Sequence, residues 1–533
     1  MGSRTLLRGG HVYSASDPFA TALLQVGEEI AWIGDDAGAD VHRDDVDEVI
    51  DLRGALVTPA FVDAHVHATA TGLLLTGLDL SECSSLAHLL DLLRHVAPGN
   101  GIVLGHGWDE SRWPEGRAPT SAELDAALGD RLCYLTRIDV HSAVVTSAMR
   151  HRHPDLAGAA GFDPAGPLTA DAHHVVREDA LGSIDAATRE AAQRAALMRA
   201  LALGTASVHE MAGPSISSPD DLRALLALAG EPGMPSVVGY WGELDGHDRA
   251  QDLGARGAAG DLFIDGSIGS HTACMRAPYH DRAGESGRAY LDADEVARHV
   301  AEASLRGMQA GFHVIGDRAH DIVMAGFISA AAQVGTEAIR RSRHRLEHVE
   351  MPGDHLRAMA DLGIVASVQS AFDAAWGGAT GMYAARLGPE RAAQMNPLAS
   401  MSAAGVIVAL GSDSPVTPLD PWGSVRAAAF HRTPEQRVSV RAAFAAHTRG
   451  GRRAAGEETL EPGVLGPGTP ATYAVWEPAE LVVQAPDQRV AAWSTDPRSA
   501  TPGLPDLTPG MPLPSCQRTV IRGYTAYDTG ALS

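Results

Sequence analysis

The 533-residue sequence contains no lysine: all 42 of its basic residues are arginine. That absence excludes Schiff-base and pyridoxal-phosphate lysines, a phosphate-loop lysine, and a carboxylated lysine bridging two metals. Asparagine is nearly absent too, with Asn100 and Asn396 alone, and beside 57 glycines and an alanine-rich background this reads as high-GC coding bias. Cysteine is scarce: Cys83, Cys133, Cys274 and Cys516 stand apart and form no Cys-x-x-Cys. Neither a disulfide framework nor a thiolate zinc site is expected, and the four read as buried, unreactive thiols. No run approaches the roughly 18 apolar residues of a membrane span, and the opening MGSRTLLRGGHVYSASD lacks a signal-peptide core. The chain therefore reads as cytoplasmic, without a membrane partner. Positive charge is in deficit, 42 basic residues against 66 acidic ones for a net charge of -24, so nucleic acid and anionic surfaces would be repelled.

What is present suits a globular protein. A composition of 45% hydrophobic and 20% charged residues can bury a large core. Residues 4–58 alternate short apolar runs with turns (TLLRGGHVYS, ATALLQVGEE, IAWIGDD, EVIDLRGALVTP), the pattern of a meander of short strands. The C-terminal pieces TPATYAVWEP, LVVQAP, QRVAAWSTD and QRTVIRGYTAYDTG share that texture. From about 59 to 455, apolar strands alternate with alanine- and leucine-rich helices, which predicts a parallel sheet. The strand candidates are AFVDAHV, GIVLGHG, RLCYLTR, GTASVHE, SVVGYW, DLFIDG, QAGFHVI, RHRLEHV, IVASVQ and VIVALGS. A (β/α)8 barrel needs eight strands and about 250 residues, so the surplus points to an insertion around 105–180. The expected fold class is α/β, with the barrel over 59–455 and β structure at 1–58 and 456–533.

Polar residues recur where these strands end, the rim on which such barrels build active sites. His65 and His67 lie two apart, so one strand directs both imidazoles to one side, where they can meet one ion. His313 ends QAGFHV, His348 ends HRLEH, and Asp413 follows VIVALGS. Singly, each reads as a hydrogen-bonded core residue, a cap or a turn residue. Together, four histidines and an aspartate supply the donors that zinc, iron or manganese accept.

Several motifs in order carry a family likeness: Thr58-Pro59-Ala60-Phe61-Val62-Asp63-Ala64-His65-Val66-His67, Gly107-Trp108-Asp109-Glu110, Arg137-Ile138-Asp139-Val140-His141-Ser142, and Asp265-Gly266-Ser267. They continue with His313-Val314-Ile315-Gly316-Asp317, Arg345-Leu346-Glu347-His348, Ser367-Val368-Gln369 and Gly411-Ser412-Asp413-Ser414-Pro415. The sequence resembles the amidohydrolase superfamily of metal-dependent hydrolases, and within it amidohydrolase family 3, the branch of N-substituted formamide deformylase-like enzymes. The resemblance implies that segments 1–58 and 456–533 pair into a small composite β-sandwich. It implies metal ligands at His65, His67, His313 and His348, and at Asp413 a ligand that takes a proton from the attacking water. Trp108, Asp109, Glu110, Asp139, His141 and Gln369 would face the substrate.

The likeness also locates the missing lysine. Members of this branch usually carry it four residues before the Asp-Gly-Ser aspartate, and here that position is Asp261. An aspartate has less reach, so one divalent ion, zinc by its donors, is expected in preference to two, with Asp261 a further candidate ligand and His348 free to orient substrate. Two ions bridged partly by Asp261, and a homologue without metal, are the competing accounts. His271, Ser370 and Thr146 replace an arginine, a proline and an asparagine frequent in the branch, at positions expected to face the pocket. The expected activity is hydrolysis of a non-peptide carbon–nitrogen bond in a small molecule, with Asp413 and His348 catalytic. Ester or lactone hydrolysis and non-catalytic ligand binding are the alternatives, and a homo-oligomer stays open. No G-x-G-x-x-G follows a strand to suggest a nicotinamide enzyme, and the metal-type residues argue against a paired-carboxylate glycosidase.

Overall fold

Eight apolar segments, each too buried to alternate, pair side by side in parallel. In the computed structural model, which describes residues 2–97, 99, 101–484, 493–494 and 502–532, they are β1 (Phe61–Val66), β2 (Thr205–Ala212), β3 (Ser236–Trp241), β4 (Gly257–Ala258), β5 (Gln309–Val314), β6 (Arg345–His348), β7 (Val365–Val368) and β8 (Ile407–Leu410). Every residue of β1, β2 and β5 is buried, as expected for strands covered on both faces. The circle closes just beyond β8, where Asp413 N–H donates to the His65 carbonyl (2.8 Å) and His67 N–H to that of Ser414 (2.9 Å). The seam is thus tied at the C-terminal rim by the residues that carry the polar side chains.

Helices cover the outside. The one at Ala293–Leu305 begins with a capping box, Asp292 and Glu295 satisfying each other's backbone N–H groups. Its Val296, Val300 and Ala303, on one face, pack into the core with Phe312 and Phe327. The neighbouring helix Asp317–Val334 comes so close that a Cβ at Gly326 would lie 2.4 Å from Val296. At the opposite end of the barrel, Phe61 meets Trp422, Phe444 and Trp476 edge-on at 5.0–5.7 Å, a cluster whose truncation at Phe61 would cost about 3–5 kcal/mol.

β4 departs from the expected strand at Asp261–Gly266. Only Gly257 and Ala258 pair as a strand, and Gly260 then takes φ +94°. The chain turns there, and Leu262 and Ile264 rejoin β5 through two hydrogen bonds to the backbone of His313. The apolar Leu262 and Ile264 still reach the core, which is why the segment reads as a strand.

Between β1 and β2 lies a separate five-stranded sheet in the order Leu168–Thr169, Ser142–Val145, Cys133–Arg137, Val103–Trp108, Leu78–Asp79. It accounts for two of the ten strand candidates. Strands from the two chain ends share one sheet, with Leu56–Pro59 antiparallel to Tyr473–Trp476 and the latter paired to Cys516–Ile521. A second sheet of Glu29–Gly34, Ala22–Val26, Arg4–Arg8 and Glu48–Asp51 faces it. Leu7, Leu23, Ile50, Val57, Tyr473 and Val520 fill the space between, so the ends form a composite β-sandwich beside the barrel. Of the strand expected over 488–496, only 493–494 lie within the described residues. All four cysteines are buried and unpaired, and among the described residues no single helix is long and apolar enough to cross a membrane.

Candidate metal centre

Six side chains on or just beyond five of these strands converge at the barrel rim. His65 Nε2 lies 3.3 Å from Asp413 Oδ1 and 3.5 Å from Asp261 Oδ2. His67 Nε2 lies 3.1 Å and 3.2 Å from the same two oxygens. The other Asp261 oxygen is 3.7 Å from both His313 Nδ1 and His348 Nε2. All six residues are at most 5% exposed.

The imidazoles are fixed from behind. His65 Nδ1 bonds Glu347 (2.9 Å), His67 Nδ1 the Met211 carbonyl (3.1 Å), His348 Nδ1 the Gln369 amide oxygen (2.8 Å), and His313 Nε2 the Gly266 carbonyl (3.3 Å). With the outer nitrogen donating to each acceptor, the inner nitrogen presents its lone pair to the centre, the arrangement that orients metal-binding histidines. His65 Nε2, Asp261 Oδ1 and His348 Nε2 are buried there without hydrogen-bond partners. Such atoms cost about 1–3 kcal/mol each when left unsatisfied, and the sets His65, Asp261, His348 and His65, His67, Asp413 each bring their donor atoms within 4.8 Å of one another. Nitrogen and carboxylate donors so grouped fit a divalent cation.

The electrostatics agree. Burial alone would push the two carboxylates up and the histidines down. Asp261 is instead held well below the usual carboxylate range by His65, His313 and His348, and Asp413 by His65, His67 and His348. Against burial, Asp261 and Asp413 raise His65 well above its ordinary value and His67 to about 9. Protons on His65 and His67 thus supply the positive charge that a cation would bring, so metal and proton compete for one place. His348 (φ +69°) and Asp413 (φ +54°) both sit in the left-handed region, a strain of order 1–3 kcal/mol that non-glycine residues sustain chiefly at functional sites.

Beneath the centre the barrel interior is ionic. Arg345, 0% exposed, donates to both Glu347 oxygens, to the Ala64 carbonyl and to Ser367 Oγ. Its guanidinium lies 4.5 Å over the Tyr240 ring. Despite burial, Arg345 brings the Glu347 carboxyl down to about 2, keeping it ionised against His65. Sequence reasoning gave neither residue a role, although two charges two apart inside a barrel strand were the available signal.

The expected substrate residues divide. His141 and Asp139 line a small cavity of about 30 Å³ with Asp413, Glu350 and Trp376, and burial brings His141 down to about 3. Trp108 does not reach it: the indole packs with Trp113, Leu80 and Leu135 in the core of the inserted sheet, donating to the Leu135 carbonyl. Asp109 and Glu110 are held with Asp139 around Arg137, which is 2% exposed, at 2.8–3.1 Å. Asp139 also accepts from Ser267 and Ser270, so this cluster ties the inserted sheet to the loop after β4. Gln369 stands behind His348, outside both cavities beside the centre. Of the three atypical residues, Thr146 bonds the Arg131 carbonyl, His271 pairs with Asp281 at 3.0 Å and Ser370 bonds the Ser424 carbonyl, and none lines those cavities. The larger cavity, about 510 Å³, lies on the other side and is lined by His67, Glu210, His174 and Arg177.

Comparison with known proteins agrees with this geometry. LONG AFTER FAR-RED 3 of Arabidopsis thaliana is 26% identical over 494 residues, covering 84% of this chain and 83% of that protein. N-substituted formamide deformylase of Arthrobacter pascens is 25% identical over 444 residues, 75% of this chain and 78% of the enzyme. The crystal structure of a metal-dependent hydrolase from Pyrococcus furiosus superposes with a TM-score of 0.67 at 28% identity, over 89% of this chain and 98% of that one. A sequence profile of the amidohydrolase family matches residues 48–527, and the chain belongs to that family.

Proposed function

We propose that the protein is a metal-dependent hydrolase that cleaves a non-peptide carbon–nitrogen bond of a small molecule. The observation that carries this is the set of four buried imidazoles, each tied by its outer nitrogen, turned on two ionised carboxylates. The names of the Arthrobacter and Pyrococcus relatives support the same class. When bound, a divalent ion, zinc by its nitrogen-rich donors, polarises the scissile carbonyl and lowers the pKa of a water toward about 7.

The chain's residues then do the rest. Asp413, ionised at neutral pH, accepts the proton of the attacking water and returns it to the departing nitrogen as the C–N bond breaks. His348, through the nitrogen not bound to Gln369, belongs to the donor set or steadies the carbonyl oxygen. His141, neutral near pH 7, lines the cavity beside Asp413 and can bond substrate without adding charge.

A single ion was expected because an aspartate has little reach. The two oxygens of Asp261 face different histidine pairs, His65 with His67 and His313 with His348, and these residues would offer donors for a second ion as well as for one. One ion on His65, His67 and Asp413 is the competing reading. Metal-reconstituted protein assayed on matched formamides, amides, esters and lactones, with and without chelator, tests the proposal. Chelator-sensitive hydrolysis of formamides or amides is expected; an ester or lactone preference moves the assignment, and chelator-resistant turnover removes it.

A further inference from the structure

The helix Ala170–Gly182 of the inserted segment buries Ala172, Val176 and Ala180 against Tyr134, Val145 and Leu168. His173 accepts from the Tyr134 hydroxyl at 2.9 Å or donates to it. That packing sets the roll of the helix and carries Arg177, one turn further on, to the wall of the 510 Å³ cavity that also takes in His67 of the metal centre. Arg177 is only 9% exposed. Nearly every other arginine so buried has carboxylates around it: Arg137 has three and Arg345 has Glu347. Among the described residues Arg177 has no hydrogen bond, ion pair or ring contact, and none of its nitrogens is sealed from the cavity.

A guanidinium nine-tenths buried without a counter-charge keeps only the hydration that the cavity offers, and an anion there would replace it. Its neighbours do not help: His174 and His141 are held neutral by burial, in part by Arg177 itself. The acids on the cavity wall are taken or distant from this role. Asp221 accepts from Thr69, Gln193 and Arg189, Glu210 accepts the Ala68 N–H, and Glu178 is exposed. Arg189, the other cavity cation, is paired to Asp221 at 3.2 Å.

We infer that Arg177 is the recognition residue for a carboxylate on the substrate, so that the enzyme takes amides bearing a free carboxyl group, such as N-acyl amino acids. A single planar guanidinium matches a carboxylate in a two-point contact. A phosphate dianion would find one unpaired cation, since Arg189 is tied to Asp221, and would keep a net negative charge. His174 lines the cavity beside Arg177 and is backed by Phe263 at 6.3 Å, whose ring in turn packs against His313 at 4.8 Å, so a chain of aromatic rings runs from the Arg177 side to the metal centre.

This inference rests on the hydrolase reading, and two measurements separate their fates. The first is binding of N-acetylphenylalanine and of its neutral carboxamide to the metal-loaded protein by calorimetry. The second is acetate release from the same pair. The carboxylate is expected to bind about 10- to 100-fold more tightly, with a matching preference in kcat/KM; Arg177→Met collapses both preferences to within about threefold, and Arg177→Lys retains part of them. Selective binding without turnover keeps Arg177 as a carboxylate site and refutes hydrolysis of this class. Turnover with no preference in wild type, an undiminished preference in the folded Arg177→Met protein, or no binding of either compound at millimolar concentration overturns the Arg177 inference.

Discussion

Replacing Glu347 by glutamine tests whether the ionic layer under the rim both stabilises the fold and orients His65. The substitution keeps the shape, removes one charge and turns one of the two acceptor oxygens facing Arg345 and His65 into a donor. Arg345, 0% exposed, then has the Ala64 carbonyl, Ser367 and His209 as neutral partners and no counter-ion. Breaking a buried pair on one side costs about 3–5 kcal/mol. The titration of Glu347 gives a similar figure: its carboxyl moves from 4.5 to about 2 on folding, and a shift of roughly 2.5 units corresponds to about 3 kcal/mol. The sign follows from the direction. A carboxylate with a depressed folded pKa stabilises above its unfolded value and loses that contribution as pH falls from about 4.5 toward 2. Wild type should therefore exceed Glu347→Gln by about 3 kcal/mol in metal-free urea unfolding at pH 7, with the gap narrowing below about pH 4.5. His65 also loses its charged orienter, so metal affinity should fall about 10- to 100-fold. Adding Arg345→Met should recover most of the stability and none of the affinity. Equal midpoints for wild type and Glu347→Gln at pH 7, or a pH-independent gap, would refute the reasoning.

Asp413→Asn, which keeps the side-chain shape but cannot accept the water proton, should lower kcat by about 10²- to 10⁴-fold in a protein that still folds, as checked by circular dichroism. Arg137→Met strands the buried carboxylates Asp109 and Asp139, while Glu110 keeps Arg386; hydrogen exchange should rise across 103–145 while the barrel strands stay protected. Gly260→Ala forces a side chain into φ +94° and against Met211 Sδ at 2.8 Å, so it should cost about 1–3 kcal/mol and lower the metal content of the purified protein, because the turn that aims Asp261 is lost.

The barrel was legible because its strands are short apolar runs with polar side chains at their ends: His65, His67, His313, His348 and Asp413 all meet at one rim. Four things were not legible. β4 has two residues and no period to read, while the apolar stretch after it packs as irregular chain. Trp108 belongs to a motif, yet its indole fills the inserted sheet's core, and nothing local distinguishes an aromatic that packs from one that lines a pocket. The place of Asp261 beside His65 and His67 follows the backbone turn at Gly260, which the sequence does not display. Arg177 looks like an ordinary helical surface arginine until the fold buries it without a partner.

The central claim is that the rim residues hold a divalent metal on which hydrolysis depends. Elemental analysis and formamide or amide hydrolysis, measured on the same preparation before chelation, after it and after metal return, test this most directly. At least one divalent ion per chain is expected, two if Asp261 is shared, with activity lost and restored in step with metal content. A folded protein that takes up no metal, or whose hydrolysis persists once the metal is gone, would contradict it.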